Sequence, residues 1–168
     1  MTDIRFATES DLPEIMQLIN RAFAVESFFK FSERLNAEQT RSYFENGKFL
    51  IYGQKREIAA CVYVEVKGEH GYFGLLAVDP GRQKKGLGSR MVAAAEEYAR
   101  ECGAQQMDMT IVNLREELPG FYERLGYQSC GTEEIPAEMM GPLRKRCHFI
   151  RYTKALGCAC EPSRSQTR

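Results

Sequence analysis

The loop at residues 78–91, "VDPGRQKKGLGSRM", is the stretch of the sequence whose residue types are best suited to chemistry. It combines three glycines with the cations Arg82, Lys84, Lys85 and Arg90, and it separates an apolar run from a helical pattern. Glycine lets a backbone approach a ligand without a Cβ in the way. The N–H groups that open a helix attract anions. The loop therefore predicts a binding site for a phosphorylated ligand.

Two familiar phosphate-binding loops do not match these residues. Gly81 and Gly86 have the spacing of the nucleoside-triphosphate loop G-x-x-x-x-G-K-[ST]. However, Leu87 stands in place of its lysine and Gly88 in place of its hydroxyl residue. The dinucleotide fingerprint G-x-G-x-x-G fails because Met91 stands where its third glycine belongs. Both nucleotide classes are therefore disfavoured.

The pattern that does match is Q-x-x-G-x-G, from Gln83 to Gly88. In this pattern the chain resembles the GNAT superfamily of acetyl-CoA-dependent N-acetyltransferases. A second family motif, "FYERLGY" at residues 121–127, follows downstream in the order that the family has. The resemblance covers roughly residues 3–155 and is best over residues 72–127.

The resemblance implies that acetyl-CoA binds along the strand before the loop and at the loop itself. The pantetheine arm would pair with the strand backbone, whose N–H groups would also polarise the thioester carbonyl. The pyrophosphate would lie at the glycines and at the first turn of the following helix. An asparagine nine residues before Tyr122 resembles a family residue that contacts the CoA arm. The implied cofactor-binding residues are Leu76, Ala77, Val78, Gln83, Lys84, Lys85, Gly86, Leu87, Gly88, Ser89 and Asn113.

Tyr122 is the residue that the resemblance places in the chemical step. It matches the family tyrosine that protonates the departing CoA thiolate. A phenol suits this role because its pKa, about 10, lies above the thiol pKa of about 8.5. We therefore expect Tyr122 to act as the general acid.

The residue that takes the proton from the acceptor amine is less evident. An alkylamine with a pKa of about 10 is almost wholly protonated at neutral pH, so this proton must be removed. Many family members use a glutamate on the strand before the loop, where this chain has Gly74. Asp108 matches an acidic position that some members use on the next strand, and we predict it as the catalytic base. The alternatives are Glu65, His70, Tyr72 and a chain of water molecules.

Hydrophobic periodicity predicts the elements that position the loop. Residues 3–7 alternate as a short strand, and the spacing of apolar residues from Leu12 to Phe23 predicts a helix. Asn36 is predicted to cap a second helix. Strand-like runs with short turns between them then predict an antiparallel meander, formed by residues 48–53, 58–67 and 72–78.

The second half of the chain predicts a βαβ unit and two final strands. A helix follows the glycine loop and ends at Gly103, and residues 105–112 form a strand parallel to residues 72–78. Since residues 72–78 are apolar on both faces, that strand should be central. Another helix starts near Pro119 and ends by Gly126. The final strands are predicted at residues 127–130 and 146–153.

These elements predict an α/β fold of the α+β mixed-sheet type, with an antiparallel N-terminal meander followed by βαβαβ. The GNAT resemblance adds that the parallel strands splay apart to admit the cofactor. No repeat or linker divides the sequence. We therefore predict a single GNAT-like acetyltransferase domain over residues 1–156 and a disordered tail over residues 157–168.

Composition restricts the partners and the compartment. The 168 residues carry 23 basic and 23 acidic side chains, which does not suit nonspecific nucleic-acid binding. No apolar run approaches the roughly 20 residues of a membrane span. The opening "MTDIRFATESDL" lacks the pattern of a signal peptide, so we expect a cytoplasmic protein with no nucleic-acid or membrane partner. The sequence leaves a homodimer open.

The six cysteines are predicted to be thiols. Without a secretory signal, disulfides are disfavoured, and the first four cysteines lie among apolar neighbours, which predicts burial. Cys158 and Cys160 form a C-x-C pair in the polar tail. No C-x-x-C occurs, and we expect no metal site.

The function that the resemblance implies is transfer of an acetyl group from acetyl-CoA to an amine, by direct attack in a ternary complex. The acceptor would be a small-molecule or peptide amine. Residues 25–35 and 131–144 are expected to line its side of the site, where Glu26, Glu33 or Glu65 could attract a cation. The alternative is a non-catalytic acyl-CoA sensor on the same fold. Tyr122 favours the enzyme, whereas the missing strand glutamate leaves room for the sensor.

Overall fold

A computed structural model describes residues 4–30, 33–54, 56–83, 85–136, 138 and 144–157, and this part of the chain forms one mixed sheet with helices on both faces. The predicted mixed α/β fold is confirmed. Of the predicted tail, only Gly157 lies within the described residues. Lys84 and the C-x-C pair lie outside them. The strands are β1 (Ile4–Phe6), β2 (Lys48–Gln54), β3 (Glu57–Lys67), β4 (His70–Val78), β5 (Gln106–Val112), β6 (Gln128–Glu133) and β7 (Phe149–Ala155). The helices are α1 (Leu12–Ala22), α2 (Ala37–Asn46), α3 (Leu87–Glu101) and α4 (Leu118–Arg124).

The sheet has the strand order β1-β2-β3-β4-β5-β7-β6. The first four strands form the predicted antiparallel meander, and β4 pairs in parallel with β5 across the α3 connection. β4 is the central strand, as its apolar faces predicted. The last strand, β7, enters between β5 and β6, an arrangement that the sequence did not predict. Among the described helices, none is long and apolar enough to cross a bilayer.

The core lies on both faces of the sheet, and each face is covered by its own helices. On one face, Met91 and Ala95 of α3 pack with Phe73 and Met107 of the central strands. On the other face, Ile15 and Ile19 of α1 pack against the inner strands of the meander. Successive residues of β4 therefore point to opposite cores, which explains why that strand is apolar throughout.

The parallel pair β4–β5 is joined over only a short length. Residues 70–72 of β4 pair with residues 106–108 of β5, and the pairing stops there. Just beyond, Leu75 has a φ of 51°, and the register with β3 shifts between Cys61 and Tyr63. A bulge of this kind bends its strand. β4 therefore diverges from β5 beyond Tyr72, which produces the splay that the GNAT resemblance implied.

α4 starts near Pro119 and ends before Gly126, as predicted. It begins at Leu118, and Pro119 lies in its first turn, where a missing N–H costs little. The residues before it form turns instead, with the Arg115 N–H donating to Val112 O at 2.9 Å. This turn directs Arg115 to the site described below rather than along a helix face.

The described cysteines are free thiols, as predicted, but the predicted burial is correct only for Cys61. Cys102 is exposed because it follows the last residue of α3, at the surface end of that helix. Cys130 is exposed because it lies on β6, the edge strand, all of whose residues are exposed. Apolar neighbours in sequence therefore did not report burial at these two positions.

Asp11 ties the short strand β1 to the start of α1. Its carboxylate accepts hydrogen bonds from the Arg5 guanidinium at 2.9 and 3.0 Å and from the Thr8 N–H at 2.8 Å. The hydrogen bonds from Arg5 lower the pKa of Asp11 from 3.8 to about 2, although the burial of this side chain acts in the opposite direction. The ion pair thus stabilises the folded state while Asp11 is ionised.

We expect Asp11→Asn to lower the free energy of unfolding by about 2 kcal/mol at neutral pH, which is the equivalent of that pKa difference. Because the folded-state pKa is depressed, the contribution is fully present above the ordinary pKa of 3.8 and is lost as the pH falls to about 2. Denaturant unfolding of both proteins across this range is the measurement. If the difference in unfolding free energy between the two proteins stays constant down to the lowest pH, the ion pair is not its source.

Candidate active site

A cleft of about 760 Å³ opens where β4 and β5 separate. Its walls come from both strands, the glycine loop, the first turn of α3, α4, and the 3₁₀ segment Phe23–Phe28 that follows α1. The structure therefore brings the predicted loop and the predicted acid to one cavity. The predicted site residues that line it are Leu76, Val78, Gln83, Gly86, Leu87, Gly88, Ser89 and Tyr122.

The β4 backbone presents hydrogen-bonding groups to this cleft. The Asp79 N–H donates to Ala59 O on the β3 side at 2.8 Å, so the backbone groups of Val78 point the other way. The Val78 carbonyl accepts a hydrogen bond from Gln83 Nε2 at 3.2 Å. Gln83 thus folds its amide onto the strand that the cofactor arm is expected to follow.

The first turn of α3 forms a backbone cradle in the lining of the cleft. Its N-cap is Gly86, whose φ of 76° is a left-handed conformation that suits glycine. Gly86 has no side chain with which to cap this turn, and the first N–H groups of a helix have no intrahelical partner. A Cβ on Gly88 would lie 3.3 Å from Phe121 Cζ, so α3 packs closely on α4 at this point. The cradle can receive an anion through backbone groups alone.

The cations of the loop do not all turn to the cleft. Arg90 lies over the Tyr52 ring, 5.0 Å from its centroid. Arg82 and Lys85 are exposed. The loop itself is shaped by Asp79, whose Oδ1 accepts from the Gly81 N–H at 2.9 Å. Asp79 was not singled out from the sequence, although an aspartate two residues before a glycine is a usual turn signal.

Three other predicted cofactor residues lie outside the lining of the cleft. Ala77 is buried on the opposite face, in the core beneath α1. Asn113 Oδ1 accepts from the His148 N–H at 2.9 Å, and the Asn113 N–H donates to His148 O at 3.0 Å. Asn113 therefore joins the end of β5 to the start of β7. Lys85, the third, stands exposed at the loop surface.

Tyr122 lies in an aromatic cluster at the wall of the cleft. Its ring centroid is 4.9 Å from Phe121, 6.1 Å from Phe73 and 6.2 Å from Tyr127. Burial raises the pKa of Tyr122 above its ordinary value of 10, and the charge of Arg115 acts in the opposite direction. The phenol is therefore protonated at neutral pH, as a proton donor must be.

Asp108 is not brought to the cleft. It lies where β4 and β5 are still paired, opposite Tyr72. Its carboxylate accepts from Thr153 Oγ1 at 2.7 Å and Gln106 Nε2 at 2.9 Å, and it lies 3.2 Å from His70 Nδ1. Partial burial tends to raise the pKa of Asp108, but these hydrogen bonds outweigh it and lower the pKa below 3.8. We therefore do not assign Asp108 the proton-accepting role that the sequence suggested.

The other candidate bases also differ in whether they line the cleft. Glu65 accepts from the Tyr63 hydroxyl at 2.8 Å, outside the lining of the cleft. His70 is engaged with Asp108. Tyr72 does line the cleft, and burial raises its pKa, so it is a neutral phenol there.

An ion pair that sequence reasoning did not foresee lies in the lining of the cleft. Glu26, named from the sequence only as one of three acids that could attract a cation, lines the cleft from the 3₁₀ segment. Its Oε1 lies 3.2 Å from Arg115 Nη1. Arg115 also donates from Nε to Glu117 Oε1 at 2.6 Å. These residues are 89 positions apart in the chain, and no local pattern relates them.

A family model for the acetyltransferase (GNAT) domain matches residues 19–139. This range is most of the chain, so the protein belongs to the GNAT acetyltransferase family. The motifs at the glycine loop and at Tyr122 had indicated the same family. The acetyl donor of these enzymes is acetyl-CoA.

Among curated proteins, the chain is similar to the blasticidin-S acetyltransferase of Streptomyces morookaense, with 37% identity over 79 residues. The aligned part is 45% of this chain and 55% of that enzyme, so it spans about half the length of the relative.

Solved structures share the fold over almost the whole chain. The ribosomal-protein-S18-alanine N-acetyltransferase of Escherichia coli aligns with a TM-score of 0.72 and 18% identity, covering 96% of this chain and 97% of its own. The yncA protein of Salmonella typhimurium, solved with its cofactor acetyl-CoA, gives 0.72 and 15%, covering 98% and 99%. An N-acetyltransferase of Staphylococcus aureus Mu50 gives 0.74 and 14%, covering 94% and 99%. At such identities these neighbours establish the shared fold.

The residues of the cleft fit acetyl-CoA. Gly86 and Gly88 present backbone and no side chain at the start of α3, where a pyrophosphate would meet N–H groups and the positive end of the helix. The diverging β4 offers the backbone of Val78 to an extended, amide-containing arm. The lining of the cavity includes both the loop and Tyr122, so one ligand can contact both.

Proposed function

We propose that the protein transfers an acetyl group from acetyl-CoA to an amine, by direct attack of the amine while both substrates are bound. The observation that carries this proposal is the position of Tyr122, a buried and protonated phenol on the wall of the cleft that begins at the α3 cradle. An anion cradle and a proton donor in one cavity are what an acyl-CoA transferase requires.

The side chains and backbone groups of this chain divide the work. Acetyl-CoA, when bound, supplies the activated acetyl group. The first turn of α3, from Gly86 to Ser89, holds its phosphates, and the backbone of Leu76 and Val78 holds its arm. Tyr122 donates its hydroxyl proton to the departing sulfur. A phenol is suited to this step because its pKa lies above that of the thiol it protonates.

The acceptor is proposed to be a small-molecule or peptide amine that enters from the side of the 3₁₀ segment Phe23–Phe28. This segment and the Arg115 turn both line the cleft. The similarity to a blasticidin-S acetyltransferase makes an amine-bearing antibiotic one reasonable acceptor to test. A non-catalytic sensor would not need a protonated phenol at the cleft, which is why the enzyme is the preferred proposal.

The test is acetyl-CoA consumption with a set of amines. The set comprises spermidine, a simple alkylamine, a peptide with a free N-terminal alanine, and blasticidin S. We expect thiol release well above the rate of uncatalysed hydrolysis with at least one of them, together with an acetylated product by mass spectrometry. A protein that binds acetyl-CoA by calorimetry yet releases thiol with none of a broad amine panel would instead be the sensor.

A further inference from the structure

Glu26 carries an unusual carboxylate. Its side chain is only 6% exposed, and it lies in the 3₁₀ segment Phe23–Phe28 that lines the cleft. One oxygen, Oε1, accepts from Arg115, whereas Oε2 accepts no hydrogen bond within the described part of the chain. Leaving a buried polar atom without a partner costs about 1–3 kcal/mol. Such an atom at a binding cleft indicates a ligand that supplies the missing donor.

Glu26, Arg115 and the proposed acid Tyr122 line the same cleft. Arg115 lines the same cleft and contacts Glu26 directly, and its charge acts on Tyr122. Glu117 accepts a hydrogen bond from Nε of the same guanidinium, which fixes the orientation of Arg115.

The charges around Glu26 come from several elements. Arg115 and Glu117 belong to the turn before α4, and Cys147, whose pKa is raised by burial and by Glu26, precedes β7. Two carboxylates share the single guanidinium, so the trio Glu26, Arg115 and Glu117 keeps one net negative charge. This charge acts on the nearby Lys30 and would also attract a cationic ligand.

Lys30 is the cation nearest in sequence that could neutralise it. Its Nζ is buried and hydrogen-bonds to no described residue, Glu26 included. Burial lowers the pKa of Lys30 to about 8, with Arg34 acting in the same direction and Glu26 against it. Lys30 is absent from the residues that line the cleft. The experiment below tests whether Lys30 forms an ion pair with Glu26 Oε2.

We propose that Glu26 is the acceptor-binding residue of this enzyme: its free oxygen Oε2 binds the ammonium group of a cationic primary amine and takes a proton from it. Arg115 is the positioning residue that fixes the carboxylate. This inference rests on the proposed acetyltransferase function and deepens it, because it assigns the substrate class and the base that Asp108 does not supply.

The proton and electron balance of the step is complete with these groups. The ammonium nitrogen gives one proton to Oε2, which later releases it to solvent. The freed lone pair forms the C–N bond to the acetyl carbon, and the C–S bond breaks with its electron pair on sulfur. The sulfur takes the Tyr122 hydroxyl proton, and the second proton lost by nitrogen restores that hydroxyl. The products are an acetylated amine, the CoA thiol and one proton.

The experiment compares Glu26→Gln with two matched variants. Glu116→Gln removes a neighbouring exposed acid that is absent from the lining of the cleft, and Lys30→Met removes the buried ammonium. With the best amine of the panel, Glu26→Gln should lower turnover about a hundredfold at neutral pH and only a few-fold near pH 10, where the free amine is abundant. The other two variants should change turnover less than about threefold at either pH.

A second readout does not depend on turnover. Calorimetry with spermidine on the CoA-loaded protein should show affinity at least about tenfold weaker in Glu26→Gln, with Glu116→Gln near wild type. If Glu26→Gln fails to fold, Glu26→Asp keeps the charge one methylene further back and should retain part of the affinity.

Two results would overturn the inference. One is a Glu26→Gln protein with wild-type amine affinity and an unchanged pH–rate profile. The other is an equal loss in Lys30→Met, which would make Oε2 the partner of a structural ion pair. A wild type that consumes no acetyl-CoA with any amine contradicts the proposed function instead, and the calorimetric comparison still decides the role of Glu26.

Discussion

Replacing Tyr122 by phenylalanine should lower turnover by about a hundred- to ten-thousandfold while leaving acetyl-CoA affinity nearly intact. The change keeps the aromatic ring, whose contacts with Phe73, Phe121 and Tyr127 hold α4 against the sheet. It removes only the hydroxyl, whose raised pKa keeps it protonated until the sulfur departs. Turnover is measured by thiol release, and affinity is measured by calorimetry.

Tyr127→Phe is the matched control for this variant. Tyr127 belongs to the same aromatic cluster, but its hydroxyl donates to Glu96 Oε1 at 2.8 Å in the core. Removing that hydroxyl leaves a buried carboxylate short of one donor, although Lys154 still holds it at 3.0 Å. We expect a loss of about 1–3 kcal/mol in the free energy of unfolding and little change in turnover of the folded protein.

The effect of Tyr122→Phe should also depend on the leaving group. Thiols more acidic than that of CoA leave without protonation, so acyl donors built on them should narrow the difference between the two proteins. Equal turnover of wild type and Tyr122→Phe on a confirmed amine would reject the role of Tyr122 as acid.

Gly88→Val should weaken acetyl-CoA binding at least tenfold, equivalent to about 1.4 kcal/mol. The sequence alone suggested that a side chain here would crowd the phosphates. The structure adds a second reason, because a Cβ at this position already lies 3.3 Å from Phe121 Cζ and 4.0 Å from Val78 Cγ2. The two further methyl groups of valine must displace Phe121 or enter the cleft.

Gly120→Val is a suitable control for Gly88→Val. Gly120 lies in the neighbouring helix α4, is exposed, and a Cβ there meets only Arg124 Nη1 at 3.8 Å. It carries the same change of residue type outside the cradle, and we expect acetyl-CoA affinity within about twofold of wild type. Unchanged affinity in a folded Gly88→Val protein would remove the pyrophosphate assignment from the first turn of α3.

Local patterns were sufficient for much of the fold. The meander, the βαβ unit and the ends of α3 follow from periodicity and glycine placement, because both depend on residues that are near in sequence. The capping of α2 by Asn36 is of the same kind, since its side chain accepts from the Gln39 N–H three residues later at 2.8 Å. Strand order is different: β7 inserts beside β5 through pairing between distant segments, which no local pattern specifies.

The residues of the candidate site also divide into those that local sequence indicates and those that tertiary structure brings together. The amino-acid sequence by itself was enough to propose the anion cradle and the proton donor, because a glycine loop opening a helix and a tyrosine in a family motif are local features. Whether a carboxylate reaches the cleft was decided by the tertiary structure. Asp108 was set aside because β4 and β5 are still paired at its position, with the bulge at Leu75 coming only later. Glu26 entered the site because folding brought Arg115 to it from 89 residues away, and burial in the cleft sets what an ionisable side chain can do.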